Sequence, residues 1–163
     1  MPIYVISQIF VLINYIFLIT TYQITNNKKI LLYNTLACTS SMIAFFLLKA
    51  YSGCAMSLIA VIRNFMFMNK TKNKSSLILI ILILICFSIY TYDGLFSILP
   101  SIATFLYTLS VWQDNNKMYK AFGIPIEICW LSYHIYIKSI LGIIFETMLF
   151  ISVLLGIFKK STR

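Results

Sequence analysis

Four ionisable side chains lie inside strongly apolar sequence: Arg63, Glu127, His134 and Glu146. A charge at the centre of a bilayer costs about 2.5–3.5 kcal/mol on insertion scales. Such a group is kept where it finds a partner, a water-filled cavity or a task. A guanidinium suits an anion, and two carboxylates suit a cation or a polyhydroxy compound. Glu127 and His134 are seven residues apart and so share one face of a helix, with Cys129 and Trp130 between them. Asn64 follows Arg63 and adds an amide. Arg63, Asn64, Glu127, Trp130, His134 and Glu146 are therefore the candidate binding set for a small polar solute.

Each of these residues also has a plainer reading. Arg63 can form a structural ion pair or reach towards the membrane surface, and its depth matches that of Glu127, which makes those two the expected pair. His134 lies close to the outer end of its span, where a histidine satisfied at the interface is ordinary. Trp130 can serve packing alone. Asn14, Asn34 and Asn64 can hydrogen-bond between helices. Glu146 has no basic neighbour beyond Lys138 or His134, which makes it the strongest functional candidate. No HExxH, GxSxG or paired-aspartate motif occurs and there is one histidine, so no enzyme, cofactor or metal centre is expected.

The elements that carry these residues are membrane spans. Of 163 residues, 61% are apolar and 10% charged, and the mean hydropathy is +0.92. A soluble domain is nearer half apolar and a quarter charged, so a soluble globule is excluded. A span takes about 20 residues, and seven of them consume almost the whole chain, leaving no room for a separate soluble module. The expected spans are 3–22, 30–48, 52–69, 76–92, one ending at Trp112, 118–137 and 139–158. Residues 30–69 are too long for one crossing, at roughly 60 Å as a helix, and the stretch Lys49 to Gly53 is the break that divides them. Span four is apolar around its circumference and reads as lipid-facing. Tyr22, Tyr51, Tyr92 and Trp112 suit an aromatic belt at the interfaces.

Cys38, Cys54, Cys86 and Cys129 all fall within apolar runs with no CxxC pairing, and read as buried small hydrophobes. The first apolar run lacks a basic leader and a small-x-small cleavage site, so it reads as a retained span. The net charge of +9 sits in short loops and is assigned to the membrane, not to nucleic acid. Ten basic residues (Lys28, Lys29, Lys70, Lys72, Lys74, Lys117, Lys120, Lys159, Lys160 and Arg163) sort to one side, and Lys49 and Lys138 to the other. By the positive-inside rule this puts the C-terminus in the cytoplasm and the N-terminus outside.

Shifting the chain by 89 residues aligns Asn26-Asn27-Lys28 with Asn115-Asn116-Lys117, Lys49 with Lys138, and Gly53 with Gly142. The matches fall at corresponding places in two three-span units. The expected architecture is thus an all-α membrane protein in which seven transmembrane helices form two parallel three-helix bundles, residues 1–70 and 94–160, joined by a linker helix at 75–93. A binding site between repeats of this kind lies near the midplane.

The run from Gln8 to Phe67, notably LITTYQITNNKK and SLIAVIRN, resembles the YgjV-like family of bacterial inner-membrane proteins, as does CWLSYHIYIKSILGIIFETM nearer the end. That resemblance implies location and fold more than activity. The 3+1+3 plan is similar, more remotely, to the SWEET and PnuC carriers, and Trp130-Leu-Ser-Tyr133 is similar to a W-x-x-Y pattern found there. In the SWEET pattern a tryptophan and an asparagine line the substrate pocket; Trp130 and Asn64 occupy such places here, but the repeat pairs them with Ser41 and Val153. Pro100 is the only counterpart to the SWEET first-helix proline, so a sugar is not implied.

The expected function is a carrier or facilitator of a small polar solute. The alternative is a non-transporting receptor, scaffold or assembly factor on the same fold. The expected partners are the lipid bilayer and that solute, with no nucleic acid. The five glycines form no GxxxG face, which leaves homo-oligomerisation open.

Overall fold

The computed structural model describes residues 2–21, 27–68, 73–113 and 116–158. Among these there are seven α-helices and no strand: α1 Pro2–Thr21, α2 Asn27–Leu47, α3 Tyr51–Met68, α4 Lys74–Tyr90, α5 Leu99–Trp112, α6 Asn116–Tyr136 and α7 Ile140–Phe158. A short 3₁₀ turn, Leu95–Ile98, leads into α5. Three helical segments are long and apolar enough to cross a membrane: α1, α3, and Leu95–Trp112 with its 3₁₀ lead. Leu31–Leu47, Lys74–Tyr90 and Ile140–Leu154 are shorter apolar helices. Of the residues invoked for charge sorting, Lys70, Lys72, Lys159, Lys160 and Arg163 lie outside the described residues, as do Tyr22, Asn26 and Asn115.

Local sequence explains the helix ends. The Asn73 side chain accepts the Ser76 N–H at 2.7 Å and starts α4, satisfying one of the orphan donors of a first turn. Pro100 sits in the first turn of α5, where a missing N–H costs nothing. Pro125 lies inside α6 and removes one rung of its hydrogen-bond ladder two residues before Glu127.

The α2–α3 and α6–α7 corners are built alike. At the first, Lys49 N–H donates to Phe46 O at 3.0 Å and Ala50 N–H to Phe45 O at 2.9 Å. At the second, Lys138 N–H donates to Ile135 O at 3.1 Å and Ser139 N–H to His134 O at 3.0 Å. Each is a Schellman cap, closed by a residue in the left-handed region: Lys49 at φ 58° and Lys138 at φ 55°. Glycine is the usual occupant of that position. Gly53, at the end of the expected break, lies inside α3 as the span 52–69 implied, and a Cβ there would come within 2.7 Å of the Tyr133 ring.

Packing connects α1 to α2, α2 to α3, α5 to α6 and α6 to α7, while α3 meets α5 and α1 meets α7. The helix α4 lies on α3 and α5. It buries only the stripe Ser76, Ile80 and Leu84 and exposes Ile78, Leu79, Leu82, Ile85, Phe87 and Ile89. Most of its apolar circumference is thus left uncovered by the other described helices. Tyr51 and Tyr92 are exposed, and Cys86 is exposed while Cys38, Cys54 and Cys129 are half-buried. Trp112 packs instead against the cluster around Met56 and Ile59.

Candidate functional site

Five of the six candidate residues fall in two polar clusters, and Trp130 lies in an aromatic group beside the second.

The first cluster joins α3 to α5. Arg63 is 2% exposed. Its Nη2 donates to Asn64 Oδ1 at 3.0 Å and its Nη1 to Thr108 Oγ1 at 3.3 Å. The guanidinium carbon lies 4.6 Å from the centre of the Tyr107 ring, within range of a cation–π contact. Asn64 Nδ2 passes the network on to Asn34 Oδ1 of α2 at 2.8 Å, and Cys38 Sγ points at the same oxygen at 3.6 Å. The ion pair expected between Arg63 and Glu127 on grounds of equal depth does not form. These hydrogen bonds of Arg63 go to a neutral amide and a hydroxyl, and Glu127 turns towards α7.

The second cluster joins α1, α6 and α7. Glu146 is 7% exposed, and its Oε1 accepts from the Tyr15 hydroxyl at 2.7 Å. The Tyr15 ring also stacks on Phe145 at 4.6 Å. His134 Nε2 stands 4.0 Å from the same Oε1. The Glu127 and Glu146 side chains are within hydrogen-bonding range of each other. Glu146 was expected to have no near partner beyond Lys138 or His134, so Tyr15 is the partner that sequence reading missed. His134 was expected at the interface but is 4% exposed. It is held there because Gly142 has no side chain, and a Cβ on Gly142 would collide with the imidazole at Nδ1. Gly142 and Glu146, four residues apart, lie on one face of α7, so the glycine lets the histidine reach the carboxylate.

Trp130 stacks on Phe45 of α2 with ring centres 5.8 Å apart and planes 11° from parallel. Phe45 also stacks on His134, at 5.5 Å, so this aromatic group borders the second cluster. Tyr133 completes it and does a further job. Its hydroxyl accepts from Gly53 N–H at 3.0 Å and bonds Ser52 Oγ at 2.8 Å, satisfying the first turn of α3. The first turn of α7 is satisfied by α1 in the same manner. Leu141 N–H donates to Gln8 Oε1 at 3.0 Å and Ile140 N–H to the Tyr4 hydroxyl at 3.3 Å.

Chemically, the second cluster offers a buried carboxyl, phenol and imidazole beside the half-buried carboxyl of Glu127. Among the described residues no three histidine, cysteine or acidic side chains are placed to hold a metal ion. Buried atoms without a hydrogen-bond partner among the described residues are Ser101 Oγ, His134 Nδ1 and Glu146 Oε2. Two of the three belong to this cluster.

No curated protein and no solved structure matches the chain. A family model, described as a bacterial inner membrane protein, matches residues 5–163. An apolar helical chain with buried charges is in keeping with that location, and the protein belongs to the Imp-YgjV family of the bacterial inner membrane.

Proposed function

We propose that this protein carries a small polar solute across the inner membrane, with its site between two three-helix units, α1–α3 and α5–α7, joined by α4. The observation that carries this reading is where the buried charges lie. Arg63 reaches from α3 to Thr108 of α5, and Glu146 of α7 accepts from Tyr15 of α1. Both polar clusters thus sit at seams where the first three helices meet the last three. Carriers built from repeats bind their substrates at such seams and move by rocking one unit against the other.

The matching Schellman corners at Lys49 and Lys138 support duplication of the unit. So does the contact pattern: a shift of four helices exchanges the α3–α5 contact with the α7–α1 contact. In this reading all seven helices cross the membrane, with the N-terminus outside and the C-terminus in the cytoplasm. In this reading the arrangement resembles the 3+1+3 plan of SWEET- and PnuC-type carriers. Arg63, Asn64, Glu127, Trp130, His134 and Glu146 are the proposed substrate set, and no catalysis is assigned to them.

The test begins with thermal stabilisation of the purified protein by sugars, nucleosides, vitamins and amino acids. Uptake of a stabilising compound into proteoliposomes follows. Uptake lost on Trp130→Ala or Asn64→Ala supports the site. Uptake that survives Glu146→Gln combined with Arg63→Ala refutes it. A stoichiometric protein partner, with no compound stabilising, favours a membrane scaffold instead.

A further inference from the structure

Glu146 has two oxygens in different situations. Oε1 accepts the Tyr15 hydroxyl, while Oε2 is buried with no N–H or O–H donor among the described residues. An ionised carboxylate with a buried, unpartnered oxygen is costly, because the lost hydration is not replaced. The Glu127 carboxyl is in hydrogen-bonding range of this side chain. Two carboxyl groups hydrogen-bond each other only when one of them carries a proton, because an ionised carboxylate only accepts. Two oxygens suffice to hold a proton, whereas sodium or calcium requires a fuller shell of ligands. No group of three metal-binding side chains is at hand among the described residues.

We infer that Glu127 and Glu146 form a binding site for one exchangeable proton at the seam of α1, α6 and α7. The inference deepens the carrier reading by naming the ion that the seam takes up, yet the site is measurable without transport. Binding adds one proton to a carboxylate oxygen and removes one negative charge, and release returns that proton to water. The groups facing Glu146 are Tyr15 from α1 and Glu127 and His134 from α6, the two helices packed on α7. Tyr15 holds the carboxylate in place when the proton has left, and the His134 imidazole stands 4.0 Å from the same oxygen. Because Tyr15 and Glu146 bridge the first helix to the last, the proton state of the pair bears on how firmly those helices hold together.

The experiment is infrared difference spectroscopy of the full chain in nanodiscs between acid and alkaline pH. A protonated-carboxyl C=O band that vanishes on raising the pH is expected, and it should be lost in Glu146→Gln and in Glu127→Gln. Tyr15→Phe keeps both carboxyls and should shift the band and its titration midpoint, which guards against a Gln variant that fails to fold. A band that persists in both Gln variants, no titrating carboxyl at all, or a band unmoved by Tyr15→Phe overturns the site. So does removal of the band by sodium at constant pH, which would assign a metal cation. In proteoliposomes, a titrating band without uptake of any stabilising compound defeats the carrier reading and leaves the proton site standing. Uptake with a silent pair does the reverse.

Discussion

Lys49 and Lys138, 89 residues apart, hold the same left-handed backbone and close the same cap at two corners of the molecule. A left-handed conformation costs an L-residue roughly 1–2 kcal/mol, and lysine has no local hydrogen bond with which to offset it as asparagine does. Lys49→Gly and Lys138→Gly should therefore each stabilise the folded protein by about 1 kcal/mol, allowing for the entropy that glycine loses. Thermal unfolding in a fixed detergent checks this. A fall in stability at either corner would mean that the lysine side chain contributes more than its backbone costs.

Gly142→Ala should displace His134, since the new methyl would occupy the space of the imidazole. Overpacking of this kind costs about 1–3 kcal/mol. Adding His134→Ala should recover most of that loss, giving a coupling well outside additivity. A double-mutant cycle in thermal stability measures it, and additive losses would refute the contact.

Tyr15→Phe removes the hydroxyl that serves Glu146 Oε1 at 2.7 Å. An unsatisfied buried carboxylate costs about 1–3 kcal/mol or more, and stability should fall by that order. Adding Glu146→Gln should make the phenylalanine nearly neutral. Unfolding of the four variants in one detergent decides it.

Arg63→Lys should not substitute for arginine. The guanidinium bonds Asn64 and Thr108 at once and lies over Tyr107, and a lysine ammonium cannot reproduce that planar fork. A loss of about 1.5–3 kcal/mol is expected, as for hydrogen bonds to a charged group. Equal stability of Arg63→Lys and wild type would show that the network is dispensable.

Reporter fusions after residue 163 and before residue 1 should find the two ends on opposite sides of the membrane. Both ends in one compartment would remove the basis for pairing α1–α3 with α5–α7.

Helix positions were legible because hydropathy and a few polar breaks set them. Each expected span agrees with a helix to within a few residues, and Lys49 and Lys138 marked the corners correctly. What sequence could not supply was pairing. Arg63 and Glu127 looked matched by depth, but depth says nothing of azimuth, and the two side chains point to different seams. Glu146 looked isolated because its partner Tyr15 is 131 residues away and is one of eleven tyrosines. Gly53 and Gly142 stood out in sequence as matched positions of the repeat, and their task of clearing space for rings arriving from α6 was not legible.

The seam of α1 and α7 also bears on how the protein is made. Tyr4, Gln8 and Tyr15 are synthesised 131 to 134 residues before the groups they meet, Lys138 O, Leu141 N–H and Glu146. Until α7 has been made, the polar side chains of α1 lack those partners. A nascent chain halted before residue 139 should therefore be held by insertion machinery or degraded, and release should coincide with synthesis of α7.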